Sequence, residues 1–278
     1  MESEMRLCWI TLFALASAPL QAQNVSSGFA DLSFGGLFGD AGTTPGGRID
    51  AETQWALGSV GVQIGASLAG FGGADPAADF RAILTRDLKW PVRLGLSVAY
   101  ETNDGVKDDT ITFGFHGLYR SNWTYAEANL LLPNHIRETG TFSFNIAGEQ
   151  WLTRELSIKT GLYRLSTDTE DPDYYTISLQ LNCAVTDTLS VFAQGFQTVS
   201  DDYDIKADGT HIGMAYHVSP ALQVVASLDQ LRPQVGDASA GLTLALRHDF
   251  GGQHNDSLMF QTAISPDRYY LGAFEPAS

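Results

Sequence analysis

The side chains best equipped for covalent chemistry are the histidines, because a neutral imidazole beside a serine hydroxyl can take its proton and release a nucleophile. His116, His135, His211 and His217 are available, and serines occur throughout. No G-x-S-x-G elbow frames any of these serines and spacing pairs none of them with a histidine, so each histidine reads as polar lining or loop. Hard cations are the second possibility, since carboxylates bind Ca²⁺ and Mg²⁺. Acidic residues gather at Asp104, Asp108 and Asp109, at Asp168, Glu170, Asp171 and Asp173, and at Asp201, Asp202 and Asp204. The nearest approach to an EF-hand loop starts at Asp204 and fails at its third position, Lys206, and at its twelfth, Ala215. Solvated acidic loops are the simpler reading, and neither a metal site nor a cofactor is expected. The glycines near Gly35 and Gly70 precede no helical pattern, so they are loop glycines and not phosphate cradles.

The chain carries 32 Asp+Glu against 16 Lys+Arg, an excess of acid that repels phosphate backbones and leaves no nucleic-acid partner to expect. Leu7 to Ala18 is an apolar run behind Arg6, too short to span a bilayer and of the form of a secretory signal. Glu2 and Glu4 are unusual in such a leader, and a start at Met5 would give the commoner Met-Arg opening. Cleavage is expected after Ala22, giving a signal peptide over 1–22 and 278 − 22 = 256 mature residues. Cys8 departs with the leader, so Cys183 remains alone and no internal disulfide forms. No second apolar stretch reaches the ~20 residues of a membrane helix.

From Val25 onward the dominant pattern has period two. Tyr175, Ile177, Leu179, Leu181, Cys183 and Val185 share one face, while Thr176, Ser178, Gln180, Asn182 and Ala184 share the other. The same alternation sets Val60, Val62, Ile64, Ala66 and Leu68 against Gly61, Gln63, Gly65 and Ser67, and Leu94, Leu96, Val98 and Tyr100 against Arg93, Gly95 and Ser97. Helical periodicity is missing. Tight turns fall near Gly58, Trp90, Ser121, Thr153, Asp187 and Ser219, one hairpin apart. Longer polar connections lie between them: Gly35 to Gly47, Ala69 to Asp79, Thr102 to Asp108, Pro133 to Gly140, Ser166 to Asp173, Val199 to Ile205, and Gln230 to Ser239.

That layout predicts seven hairpins, hence an all-β, closed, antiparallel up-and-down transmembrane barrel of 14 strands over 23–250, with 251–278 as a C-terminal tail. Two strand-like pieces in the tail, Ser257 to Ile264 and Arg268 to Phe274, make 16 strands the alternative. A propeller would need both faces of many strands to be apolar, and one face here is steadily Gly, Ser, Thr, Gln and Asn. An apolar filling suits a barrel of about eight strands. With 14, the polar face must turn inward and the apolar face must meet hydrocarbon. Phe34, Trp55, Phe80, Tyr100, Tyr119, Trp123, Trp151, Tyr175 and Phe250 stand near strand ends, where interfacial girdles form. Arg86 falls on the outward side, which is tolerable only near an interface.

Leu242 to Phe250 resembles the final strand of Gram-negative outer-membrane proteins, with apolar residues at alternate positions and a closing phenylalanine. The chain as a whole resembles porins, more loosely the alphaproteobacterial ones, over Val25 to Phe250 and through architecture alone. The resemblance implies a water-filled channel in the cell outer membrane for passive diffusion of small hydrophilic solutes, not an enzyme. It implies as partners outer-membrane lipid, lipopolysaccharide and the barrel-assembly machinery, which reads the last strand. Alternation then places Arg48, Asp50, Glu52, Arg81, Arg93, Glu101, Glu127, Glu149, Lys159, Asp229, Arg247 and Asp249 on the pore lining. Acidic mouths raise the local cation concentration, so mild cation selectivity is expected. No connection is long enough to suggest an inward-folded constriction loop, which favours a monomer over a homotrimer. A structural or adhesive barrel, or a barrel-embedded hydrolase, are the alternatives.

Overall fold

The computed structural model describes residues 25–39, 42–57, 59–71, 77–89, 91–102, 110–134, 142–166, 174–200, 206–233 and 238–250. The expected leader, the three acidic groups, His135 and the tail after Phe250 lie outside the described residues. The strands are β1 (Val25–Gly39), β2 (Gly42–Leu57), β3 (Val60–Phe71), β4 (Ala77–Lys89), β5 (Val92–Thr102), β6 (Thr110–Arg120) and β7 (Thr124–Asn134). They continue as β8 (Phe142–Trp151), β9 (Leu156–Ser166), β10 (Tyr174–Ala184), β11 (Leu189–Ser200), β12 (Lys206–Ser219), β13 (Leu222–Pro233) and β14 (Ser239–Phe250).

Each strand pairs antiparallel with its chain neighbours, and β1 pairs with β14, so the sheet is a closed barrel. The seam runs unbroken from Gly28 opposite Phe250 to Phe38 opposite Ala240. This closure decides between the two strand counts: the wall is complete at 14, and the alternative of 16 is overturned. Strands spaced about 4.8 Å apart and tilted by about 40° would give a barrel roughly 28 Å across, wider than wall side chains alone can fill.

One expected connection is not a loop. The stretch from Gly35 to Gly47 belongs largely to β1 and β2, which pair through Gly35 opposite Gly46 as far as Gly39 opposite Gly42. Glycine-rich sequence suggests a loop because glycine weakens a strand, yet a neighbouring aromatic ring can cover the bare backbone. Here the Phe34 ring lies in van der Waals reach of Gly47, 3.4 Å from where a Cβ would stand.

The two faces separate as the alternation predicts. Ile177, Phe34, Leu96 and Leu179 project from the outer surface, 63%, 59%, 55% and 53% exposed. On the opposite face Gln63, Glu127, Asn129 and Glu52 are buried. Cys183 is a free thiol on the outward parity of β10. Outward charges mark the margins of the apolar belt: Arg86 and His248 toward the short turns, and Arg164, Lys206, Asp208 and Arg232 toward the longer connections. The Arg164 guanidinium lies over the Phe142 and Tyr175 rings at 5.6 and 5.1 Å, a cation–π arrangement suited to a margin between oil and water.

Trp151 departs from the expected outward girdle. It pairs with buried Ser157, which gives it the inward register, because strand parity and not aromatic character sets the direction. The inner face is also less uniformly polar than expected. Ile83 and Leu118 form one buried apolar pair, with Tyr125 against it, and Phe196, Ala207 and Leu231 form another cluster. The Phe196 ring occupies the side-chain position of Gly209, 1.9 Å from an added Cβ, and Phe192 likewise covers Gly213 at 2.3 Å. A Gly209→Val change must push the ring off the wall. We expect it to destabilise the barrel by about 1–3 kcal/mol, read as a lower urea midpoint for unfolding in detergent micelles.

Candidate functional site

The inner wall is built as rows. In an antiparallel barrel, residues joined by register point the same way, so a single inward position on one strand fixes a line of neighbours around the wall. One such row links Arg247, Asp31, Asp50, Ser67, Asp79 and the Glu101 register position across six strands. The adjacent row links Asp249, Phe29, Glu52, Gly65, Arg81 and Ala99. Cations and carboxylates therefore meet along strands and between rows.

Four of these contacts are ion pairs. Arg48 donates from Nε and Nη2 to the two Asp50 oxygens at 2.5 and 2.6 Å, a fork that fixes both planes. Arg81 Nη2 donates to Glu52 Oε2 at 2.7 Å, although a whole strand separates β2 from β4. Gly65 stands between them in register, and a Cβ there would lie 2.8 Å from Arg81 Nε and 3.3 Å from Glu52 Oε2. The missing side chain is what lets the pair form. Gln63 completes the Glu52 site by donating from Nε2 to the second carboxylate oxygen. Arg93 donates to Asp87 at 2.5 Å near the short-turn rim, and Arg247 donates to Asp249 at 2.9 Å while its guanidinium lies 4.3 Å from the Phe29 ring centre.

Across β8 to β10, Glu149 accepts from Ser157 Oγ at 2.5 Å, and Lys159 Nζ stands 3.6 Å from its other oxygen. Asn182 donates to Ser157 at 3.1 Å and accepts from Gln180 at 2.5 Å. Across β11 to β13, His211 Nδ1 lies 2.5 Å from Asp229 Oδ1, and the Phe192 ring stacks on the imidazole at 4.9 Å. Across β5 to β7, Ser97, His116, Asn129, Glu127 and Tyr125 form a continuous hydrogen-bonded chain.

The expected lining residues thus fall into separate groups. Arg48, Asp50, Glu52, Arg81, Arg247 and Asp249 stand together on the arc from β14 through β4, where Glu101 holds the register position opposite Asp79. Arg93 lies low on that side with Asp87. Glu149 and Lys159 pair on the next arc, Glu127 belongs to the β5–β7 chain, and Asp229 belongs with His211. Reading the sequence missed Asp31, Asp79 and Asp87. Each alternates with outward apolar neighbours such as Leu32, Phe80 and Leu88, so parity alone could have found them. Among the described residues no group of His, Cys, Asp and Glu is arranged to hold a metal ion.

No family model matches the sequence, and the comparison with curated proteins finds no match. Solved structures do match. The CymD monoaromatic hydrocarbon channel aligns with a TM-score of 0.60 at 9% identity, over 84% of this chain and 90% of its own. A mutant of the TodX monoaromatic hydrocarbon channel aligns at 0.54 and 10% identity, over 85% and 93%. The anion-selective porin from Comamonas acidovorans aligns at 0.52 and 12% identity, over 81% and 98%. The likeness is one of fold. At these identities it extends to no residue's role.

Proposed function

We propose that this chain is an outer-membrane channel of porin type that lets small hydrophilic solutes and ions diffuse passively, with mild cation preference. The observation that carries the reading is the division of one closed wall into an apolar outer belt and an inner face bearing paired charges. In hydrocarbon a β-sheet must close to satisfy its backbone, and this one does. A lumen too wide for its own side chains holds water, and oppositely charged groups on its wall impose a field on whatever passes. The structural neighbours are porins and channels, which supports a conducting barrel.

Residues 1–22 act as the export signal, and the barrel reaches a Gram-negative outer membrane through the barrel-assembly machinery. There it contacts lipid and lipopolysaccharide, as a monomer or a homotrimer. The preference for cations follows from an excess of inner carboxylates: Arg48, Arg81, Arg93, Lys159 and Arg247 each meet one acid, Asp50, Glu52, Asp87, Glu149 and Asp249, and Asp31, Asp79, Glu127 and Asp229 stand on the inward face beyond those pairs. In a planar bilayer under a salt gradient, purified protein should give discrete current steps and a reversal potential on the cation-selective side. Asp31→Asn with Asp50→Asn should move that potential toward the neutral value. Folded protein that never conducts would leave a structural or adhesive barrel in its place.

A further inference from the structure

Ser97, His116 and Asn129 lie on three successive strands, 19 and 13 residues apart in sequence; the register sets His116 directly opposite Asn129, and it reaches Ser97 diagonally past Gly114, which stands opposite the serine. His116 Nε2 is 2.6 Å from Ser97 Oγ, and His116 Nδ1 is 2.8 Å from Asn129 Oδ1. At the far end of this chain an ionised Glu127 carboxylate accepts from the Tyr125 hydroxyl and from Asn129 Nδ2 at 3.4 Å. Asn129 must therefore turn its carbonyl oxygen toward the imidazole. That oxygen only accepts, so the ring proton sits on Nδ1 and the lone pair on Nε2. Ser97 is left to donate its hydroxyl proton to Nε2.

This is the arrangement a nucleophilic serine needs: base within hydrogen-bond reach, and base held in the correct tautomer by a third group. Space is provided as well. A Cβ on Gly114 would stand 2.2 Å from Ser97 Oγ and 2.8 Å from His116 Nε2, so glycine there lets the two meet. His116 and Asn129 are buried at 9% and 2% exposure, while Ser97 is only half-buried on the inward parity of β5.

We propose that Ser97, His116 and Asn129 form an acyl-transfer centre on the inner wall that accepts small carboxylic esters. Ser97 Oγ adds to the ester carbonyl carbon as its proton passes to His116 Nε2. The carbonyl–alkoxy bond then breaks, and the alcohol leaves with that proton. Water attacks the acyl-serine by the same route, losing a proton to His116, and the acid departs as the serine recovers its hydrogen. Asn129 is a positioning residue, since it acts through the imidazole. The backbone N–H groups around Ser97 belong to the barrel ladder, so no spare pair points at a developing oxyanion. Removing one such donor from a hydrolase lowers turnover on the order of 10²–10³-fold. Acylation and deacylation both pass through a tetrahedral oxyanion, so both are slow here, and capture of the serine by an irreversible probe is the step to observe.

The test uses the folded full chain in detergent micelles with a fluorophosphonate probe. Attack by Ser97 Oγ forms the oxygen–phosphorus bond, expels fluoride and sends the proton to His116. Peptide mass spectrometry should place the adduct on Ser97, formed on the order of a hundredfold faster than in His116→Gln and lost when the protein is heat-unfolded before labelling. Asn129→Leu should slow the reaction, and Asn129→Asp, which keeps the acceptor, should restore it. An unlabelled Ser97 in folded wild-type protein overturns the proposal, as does labelling at equal rate after unfolding or without His116. The centre does not depend on conduction, so a barrel that passes no current and still labels at Ser97 separates the two readings.

Discussion

Leu179→Arg should lower the unfolding free energy of the lipid-inserted barrel by about 2–4 kcal/mol, the cost of a cation at the bilayer midplane on a barrel wall. Leu179 stands at the middle of β10, 53% exposed on the outward face, between Ile177 and Leu181 at 63% and 47%. An arginine there finds no carboxylate and cannot reach either margin without bending back along its own strand. The neighbouring change, Gln180→Arg, puts the same charge on the inward face beside Asn182 and opposite Lys159, and there we expect a smaller loss, about 1 kcal/mol, from the like charge across the ladder. Urea titrations in liposomes of the two variants give the comparison directly. A larger loss for Gln180→Arg than for Leu179→Arg would mean that the two faces have been assigned the wrong way round.

Arg81→Ala should cost about 3 kcal/mol, because it leaves the Glu52 carboxylate, which is 3% exposed, hydrogen-bonded to neutral Gln63 without its guanidinium. The loss is not that of a surface ion pair. It arises because a shielded carboxylate loses the guanidinium that offsets its desolvation. Glu52→Gln in the same background removes the stranded charge, so the double variant should be more stable than Arg81→Ala alone, a coupling of the kind contacting residues show. Gly65 sharpens the case. Gly65→Leu leaves both charged residues in place yet fills the gap through which they meet, and its loss should approach that of Arg81→Ala. Additive behaviour of Glu52→Gln and Arg81→Ala would mean the pair carries no shared energy.

Much of the architecture was legible in the sequence because period two has a direct physical cause: successive side chains leave opposite faces of a strand. Tyr175 to Val185 shows it plainly, and every strand from β3 to β14 follows the same rule. Strand number was harder, since Ser257 to Ile264 carries the same alternation as a wall strand. What separates 14 from 16 is the pairing of Gly28 with Phe250, a contact between distant parts of the chain that no local pattern encodes. Gly35 to Gly47 misled for a related reason. Glycine lowers strand propensity in isolation, and the cross-strand pairing of β1 with β2, with the Phe34 ring against Gly47, offsets that.

The site divides in the same way. Parity was enough to assign a face to Arg48, Glu52, Arg81, Glu149 and Lys159, and it would have reached Asp31 had β1 been followed residue by residue. It was not enough to say who meets whom. Glu52 and Arg81 are joined across an intervening strand, and His116 finds Asn129 directly opposite on one neighbouring strand and Ser97 diagonally on the other. Registers depend on turn lengths and on bulges such as those between Asp87 and Lys89 and between His217 and Ser219, which shift a partner by one place without changing the alternation. The inward phenylalanines, Phe192 and Phe196, stayed hidden because alternation sorts by polarity, whereas glycine on the adjacent strand makes room for a ring regardless of which face it is on.

The junction of β1 with β14 has a consequence for how the chain can be cut. Both strands meet the rim of short turns with their outer ends, Val25 and Phe250, and their ladder is as regular as those joined by a covalent bend. The cylinder therefore has no preferred starting point around its circumference. A circular permutant that ties residue 250 to residue 25 by a brief linker, and opens instead between β6 and β7, should wind into the same wall.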